Sequence, residues 1–351
     1  MSQCAPVLVG DRIENPGNAR ALLAAAGMFG TACLFRDRAG LGAAWEGEPP
    51  LSLTTPAELG AQYAPLIACD NLPGAVDVYG FRPAPGPRPA LVVGNERRGI
   101  AHDLRALATQ AVQIPMFARS SLNTLNVAAA AAVALYYVTR GGGGKLQRSA
   151  HPERRRPTLL LVGGAGHVEL GSAIRSAGAF AWERILLDDR AGVWFGCERV
   201  TRSEGRAAAR RGRNPIHLVP AAPGGKGAYD EVCVVTLGRG GTPLHRASLA
   251  GGPRQLVVIP DESGRRSDAE EWERLGKRVR AISVDVPGGE FAYHYRLVAS
   301  IALAEVARQV GQRPRVELGP PVRGKVVYDR ALALLAQHGG ELVDLADLAD
   351  Y

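Results

Sequence analysis

The stretch Leu91-Val92-Val93-Gly94-Asn95-Glu96-Arg97-Arg98-Gly99-Ile100 decides the fold. With Ala90 it opens on four apolar residues that do not alternate with polar ones. A half-buried strand alternates; an unbroken apolar run of this length followed by a turn reads as a strand covered on both faces, as in a parallel sheet flanked by helices. The polar loop that follows is bounded by Gly94 and Gly99, which let the backbone pass close to a ligand. Open α/β sheets bind ligands where such loops leave the carboxyl ends of their strands.

Working outward, short apolar runs alternate with helical stretches. A strand is expected at Pro6 to Gly10, and Asn15-Pro16 then opens a helix, with Asn as N-cap and Pro at the first helical position, where no donor is missed. Gly30 closes that helix before a strand at Thr31 to Phe35. A second helix starts at Thr55-Pro56, and a third follows Gly99 to about Gln110. A strand at Ala111 to Ile114 and a long helix to about Val138 complete the first half. The run from Arg140 to Pro157, with Gly141 to Gly144 at its head, is too polar and flexible to build a core and divides the chain. The second half repeats the order, with strands at Thr158 to Val162, Arg184 to Leu187, Gln255 to Ile259 and Ala281 to Val286, and helices at Gly171 to Phe180 and Tyr295 to Val310. Two successive domains with the same order argue for an internal duplication, with residues 1–140 and 158–351 as the copies and 141–157 as the linker.

Length and composition agree with this organisation. A chain of 351 residues with 46% apolar content can bury two ordinary cores. The excess of 42 Lys and Arg over 34 Asp and Glu suits a polyanionic partner. Cys4, Cys33, Cys69, Cys197 and Cys233 are scattered, with no paired spacing and no nearby histidine cluster. Neither a metal site nor a disulfide framework is indicated. The first residues carry no secretory pattern, and the longest apolar run, Val127 to Val138, is too short to span a bilayer; a cytoplasmic location is expected.

Three segments, in order, resemble the signature motifs of the SpoU/TrmH branch of the SPOUT RNA methyltransferases. They are Asn15-Pro16-Gly17-Asn18 through Phe29-Gly30, the Leu91 to Ile100 stretch, and Ile114-Pro115-Met116 through Leu125-Asn126-Val127. Ser121-Leu122-Asn123 also resembles the Ser-Leu-Asn element of the third motif, although Leu125-Asn126-Val127 leads more naturally into the small-residue helix. The resemblance implies an α/β fold made of two tandem SPOUT-like domains. Each has a parallel sheet, and a C-terminal trefoil knot is expected at least in the first. It implies S-adenosylmethionine as cofactor, RNA as partner and transfer to a ribose 2′-hydroxyl of ribosomal or transfer RNA. By the same resemblance Gly94, Asn95, Glu96, Gly99, Ile114, Met116, Leu125 and Asn126 bind the cofactor, with Glu96 and Asn126 facing the reacting centre.

The family's first motif continues to an arginine near the middle of its helix, and here that position is Ala24, flanked by Ala25 and Ala26. The second half shows the reverse. Glu169-Leu170-Gly171-Ser172-Ala173-Ile174-Arg175-Ser176 resembles the family helix with its arginine kept at Arg175, while Ile259-Pro260-Asp261 is a blurred second motif and Phe291 to Tyr295 replaces the Ser-Leu-Asn element. In the family the arginine of one subunit approaches the cofactor of the other. Complementary decay of two fused copies therefore implies a monomeric pseudodimer with one composite site. Arg20, one helical turn before Ala24, is the alternative source of the arginine; an inert RNA-binding or assembly protein is the alternative function.

A ribose hydroxyl must lose its proton during attack, and an arginine is a poor base. The role expected for Arg175 is to clamp the adjacent RNA phosphate and stabilise developing negative charge. Glu96 or that phosphate takes the proton, and no metal is required. For RNA contact the expectations are Asn18, Arg20, Arg155, Arg210 and Arg211, drawn from the first motif, the linker and the Arg-rich stretch from Arg199 to Lys226. Asn15 is expected to cap its helix.

Overall fold

The computed structural model describes residues 5–47, 50–72, 74–95, 98–116, 125–142, 144–145, 154–163, 166–189, 192, 194–195, 217–221, 227–238, 240–261, 269–286 and 293–311. The chain divides into two compact units. Among the described residues, one holds those up to Pro115 together with those of Ala134–Gly144, the other those of Met116–Val133 together with those from Lys145 onward.

The first unit is built on a parallel sheet of six strands: β1 Val7–Asp11, β2 Cys33–Arg36, β3 Leu66–Cys69, β4 Val76–Asp77, β5 Ala90–Val93 and β6 Gln110–Gln113, in the spatial order β2-β1-β5-β3-β6-β4. Leu8, Val9, Leu91 and Val92 are buried on both faces of the sheet, which is why their sequence runs lack alternation. Helix α1, Pro16–Met28, starts where the sequence places it, with the Asn15 side chain accepting from the Gly17 N–H at 2.7 Å. Helix α2, Pro56–Gln62, opens on a capping box in which Thr55 Oγ1 accepts from Glu58 N and Glu58 Oε2 from Thr55 N. Helix α3, His102–Leu107, is shorter than expected. Helix α4, Val127–Arg140, is divided, Val127–Val133 counting with the second unit and Ala134–Arg140 with the first.

The second unit carries seven parallel strands: β7 Thr158–Val162, β8 Arg184–Asp188, β9 His217–Pro220, β10 Glu231–Leu237, β11 Thr242–Pro243, β12 Gln255–Ile259 and β13 Val279–Val284. Helix α5 is His167–Ala179, α6 Ala269–Leu275 and α7 Tyr295–Val310. The sheet order is β11-β13-β10-β12-β7-β8-β9. Read from the other end and without the edge strand β9, this is the order of the first sheet, strand for strand. A single 3-10 turn follows the corresponding short strand in both, Val78–Gly80 and Leu244–Arg246.

The likeness extends to the first helices. Helices α1 and α5 each have thirteen residues. Both end on a phenylalanine, Phe29 or Phe180, followed by a residue of left-handed backbone, Gly30 or Ala181, each with φ of 63°. In each the next two N–H groups return to the last turn: Gly30 and Thr31 to Gly27 and Ala26, Ala181 and Trp182 to Gly178 and Ala177, a Schellman closure. Glycine takes this conformation without steric cost and alanine does not. Ala181→Gly is therefore expected to stabilise the chain by up to about 1 kcal/mol, read as a higher denaturant midpoint with unchanged slope. A lower midpoint would show that the alanine methyl has a packing role that outweighs its strain.

Some sequence expectations need correction. Strands β3, β4, β9, β10 and β11 lie where none is expected. Helix α5 begins at His167 rather than Gly171, capped by Gly166. β13 ends at Val284, two residues before the expected end at Val286, because pairing with β10 fixes its register from Val232↔Val279 to Leu237↔Val284. Matching the ladders of the two sheets sets Ile114 against Val284. Among the described residues no helix is long and apolar enough to cross a membrane.

Candidate active site

Sheet order places β5 between β1 and β3, so whatever follows Val93 emerges with the ends of two strands on either side. The chain turns at once. Asn95 and Gly99 exchange backbone hydrogen bonds, Asn95 N to Gly99 O at 3.1 Å and Gly99 N to Asn95 O at 2.8 Å. Both glycines serve this closure. A Cβ on Gly94 would lie 2.1 Å from the Gly99 carbonyl carbon and 2.3 Å from Ile100 N, and Gly99 has φ +68°. The Asn95 side chain is bound as well, Nδ2 donating to the Arg12 carbonyl at 2.9 Å and Oδ1 accepting from Arg98 N at 3.2 Å. Glu96 lies outside the described residues.

Charged side chains that no motif announces surround the turn. Asp11, the last residue of β1, accepts from Ala101 N through Oδ2 at 2.6 Å and meets Arg36 Nη1 through Oδ1 at 3.4 Å. Arg36, the last residue of β2, also holds Asp103 through both guanidinium nitrogens, at 2.7 and 2.5 Å. Asp70, just beyond β3, accepts from Ile100 N at 3.3 Å and from Arg105 Nη2 at 3.0 Å. A sequence signal exists for Asp11, Arg36 and Asp70: a charged residue at the carboxyl end of a short apolar run, in Val7-Leu8-Val9-Gly10-Asp11, Cys33-Leu34-Phe35-Arg36 and Leu66-Ile67-Ala68-Cys69-Asp70.

Burial pushes the Asp11 carboxyl above its ordinary range, against the Ala101 hydrogen bond and the charges of Arg36 and Arg12. The folded chain therefore takes up this proton at a higher pH than the unfolded chain. Stability from this group falls as pH rises between the two values, and above both the buried charge is a net cost. Asp11→Asn is expected to unfold at an equal or higher denaturant concentration than wild type at pH 7.5, the difference disappearing by about pH 3, where both side chains are neutral. A clear loss of stability at pH 7.5 would mean that the pairing with Arg36 outweighs the burial.

Of the third motif, Ile114 is buried just past β6 and Met116 is half-buried; Leu125 and Asn126 are buried. Asn126 Oδ1 accepts from Ala128 N at 3.0 Å, the geometry of an N-cap. That bond caps the start of α4. Residues 117–124 lie outside the described residues.

Ala24 and Arg175 are each the ninth residue of their helix. Arg175 is 7% exposed and its Nη2 donates to the Leu125 carbonyl at 3.3 Å; both residues belong to the second unit. Arg20 is exposed and lies over the Trp45 ring, 5.2 Å from its centroid. Asn18 is half-buried. Arg155 is exposed, its backbone paired to Ala250 and Gly252. Its neighbour Arg156 lies 4.4 Å from the Trp182 ring centroid and donates to the Phe180 carbonyl at 2.8 Å, so it is committed to the end of α5 and not to a ligand. Arg210 and Arg211 lie outside the described residues. Among the described residues no group of three or more His, Cys, Asp or Glu could hold a metal ion.

A turn shaped in this way after the central strand of a parallel sheet is the setting the second motif requires. Residues 56–136 match the SpoU rRNA Methylase family. The matched span contains the second and third motifs, ends within α4 and begins after α1, the helix that carries Ala24. A cofactor of the S-adenosylmethionine kind agrees with that match. A comparison with curated protein sequences returned no match. Among solved structures, one of the SpoU methyltransferase AviRb from Streptomyces viridochromogenes, in complex with AdoMet, is 23% identical, covers 40% of this chain and 58% of its own, and has a TM-score of 0.31. An RNA 2′-O ribose methyltransferase is 26% identical, covers 40% and 57%, and has a TM-score of 0.31. The TrmH/SpoU tRNA modifying enzyme of A. aeolicus is 18% identical, covers 40% and 76%, and has the same TM-score of 0.31. The chain thus spans less than three fifths of the first two of these proteins.

Proposed function

We propose that this chain is an S-adenosylmethionine-dependent RNA methyltransferase acting on a ribose 2′-hydroxyl, and that its two units are tandem copies serving one active site. The observation that carries the reading is the identity of strand order in the two sheets, with the second and third motifs in the first copy and an arginine in the second at the helix position where the first has alanine. A trefoil knot formed around the third motif of the first copy belongs to this reading. So does a monomeric state.

The residues fit the donor. β5 and β6 are separated by β3 alone, so the Gly94 turn and Ile114 leave the sheet about 10 Å apart, wide enough for a nucleoside recognised by main-chain groups and covered by apolar side chains. When bound, the donor supplies a methyl group activated for in-line transfer. Gly94, Asn95, Glu96, Gly99, Ile114, Met116, Leu125 and Asn126 form or support its pocket. Arg175 clamps the RNA phosphate beside the acceptor ribose, aligning the hydroxyl and stabilising negative charge as its proton leaves. Glu96 or the phosphate accepts that proton. Asn18, Arg20, Arg155, Arg210 and Arg211 contribute to RNA binding. Incubating the protein with total RNA and donor labelled in the methyl group, followed by digestion to nucleosides, is expected to yield label in 2′-O-methyl nucleosides. Label in a methylated base would redirect the chemistry. Ala24 favours one second reading, an inert RNA-binding protein, which calorimetry without donor affinity would support.

A further inference from the structure

The inference that follows rests on that reading. We propose that Asp11 and Asp70, each backed by an arginine, form a two-sided clamp that fixes the 94–101 turn in the shape that receives the methyl donor. They act as positioning residues for the donor site. The two carboxylates come from the strands on either side of β5 and take the adjacent N–H groups of Ala101 and Ile100. These donors lie past the end of β5, where no strand pairing reaches them. Two neighbouring donors held from opposite sides leave the turn no lateral freedom. Arg36 and Arg105 keep the carboxylates in place, and the Arg36–Asp103 pair ties the start of α3 to the end of β2. The Asn95 side chain adds a third anchor, on the carbonyl of Arg12.

The fold itself does not ask for these charges. The second sheet has the same strand order, and matching the ladders puts Val162 in the place of Asp11, Asp188 in that of Arg36, Thr236 in that of Asp70 and Pro260 in that of Gly94. The same architecture is thus made without the clamp in the copy whose cofactor motifs have blurred. Burying ion pairs carries a desolvation penalty, and apolar replacements are often neutral or stabilising. Asp11 is wholly buried, and the side chains of Arg36, Arg105 and Asp70 are 8%, 7% and 4% exposed. Charges held at that cost around one turn, in one copy of two, mark the turn as the part whose shape matters.

The test uses the full chain with Asp11→Asn, Asp70→Asn and the double variant, each preserving size while presenting an amide to the arginine. S-adenosylhomocysteine affinity is measured by calorimetry, global stability by denaturant unfolding, and amide exchange at Ile100 and Ala101 by NMR. Each single variant is expected to bind about tenfold more weakly, to unfold at the wild-type midpoint or above, and to exchange faster at those two amides alone. Affinities within twofold of wild type would overturn the clamp and leave the functional reading intact. Weaker binding in step with a falling global midpoint would make these residues props of the fold, which also overturns it. A wild-type chain with no affinity at all removes the donor site and the clamp together.

Discussion

Replacing Arg175 with methionine is expected to lower the rate of methyl transfer by about 10²- to 10³-fold, the size of effect seen when one group that stabilises transition-state charge is removed. Donor affinity should stay within a few-fold of wild type. The reason lies in which state the guanidinium serves. The proposed clamp on the phosphate matters most when the ribose oxygen gains charge, whereas the proposed donor pocket draws on the Gly94 turn and the third motif. Methionine keeps most of the side-chain volume, so the helix loses a charge without gaining a cavity. It also loses the hydrogen bond to the Leu125 carbonyl, a stability cost of about 1–3 kcal/mol. Lysine is not expected to rescue the rate, because an ammonium lacks the planar fork that grips a phosphate.

The comparison that gives this experiment its force is Arg20→Ala. Arg20 is exposed and set against Trp45, and its removal is expected to change the rate by no more than a few-fold. If Arg20→Ala stops the reaction and Arg175→Met does not, the first copy supplies its own arginine and the idea of a shared site is lost. If neither matters, the catalytic cation lies among residues such as Arg97 or Arg98 beside the second motif.

Helix starts and the central strands are legible in the sequence because their causes are local. Asn15-Pro16 and Thr55-Pro56 carry their capping chemistry in the sequence, and Ala90–Val93 and Leu256–Ile259 are apolar runs of the kind a doubly covered strand carries. β10 escapes such a reading although it is a central strand of its sheet. It begins at Glu231, whose carboxylate is met by Arg278 just before β13, by Arg280 on β13 and by the Gln255 amide on β12, partners distant in sequence that no local pattern announces. Val76–Asp77 and Thr242–Pro243 are strands only because β6 and β13 pair with them. The site divides in the same way. Arg175 can be placed by its position in a helix, but the clamp on the turn joins residues from four separate elements. Asn126 is located by its motif, but its bond to Ala128 N depends on where α4 begins, which the motif does not state.

Adding one methyl group at Gly94 is expected to have the larger effect on binding. In Gly94→Ala the new Cβ would sit 2.1, 2.3 and 2.4 Å from Gly99 C, Ile100 N and Gly99 O. All three are backbone atoms, which cannot swing aside like the tip of a side chain. The strand end must move or the Asn95–Gly99 pair must open, and with it go the bonds from Ile100 and Ala101 to Asp70 and Asp11. Losing two or more backbone hydrogen bonds costs about 2–3 kcal/mol of stability, and donor affinity should fall by at least about 100-fold if the turn is the recognition surface proposed above. Gly27→Ala is the control: nothing lies within 4 Å of a Cβ at that position in α1, and alanine there should be neutral or stabilising by about 0.5–1 kcal/mol. A Gly94→Ala chain that binds S-adenosylhomocysteine as tightly as the wild type would mean that the donor is held elsewhere. The second motif would then be a structural turn, and the first sheet would have to be read as scaffold.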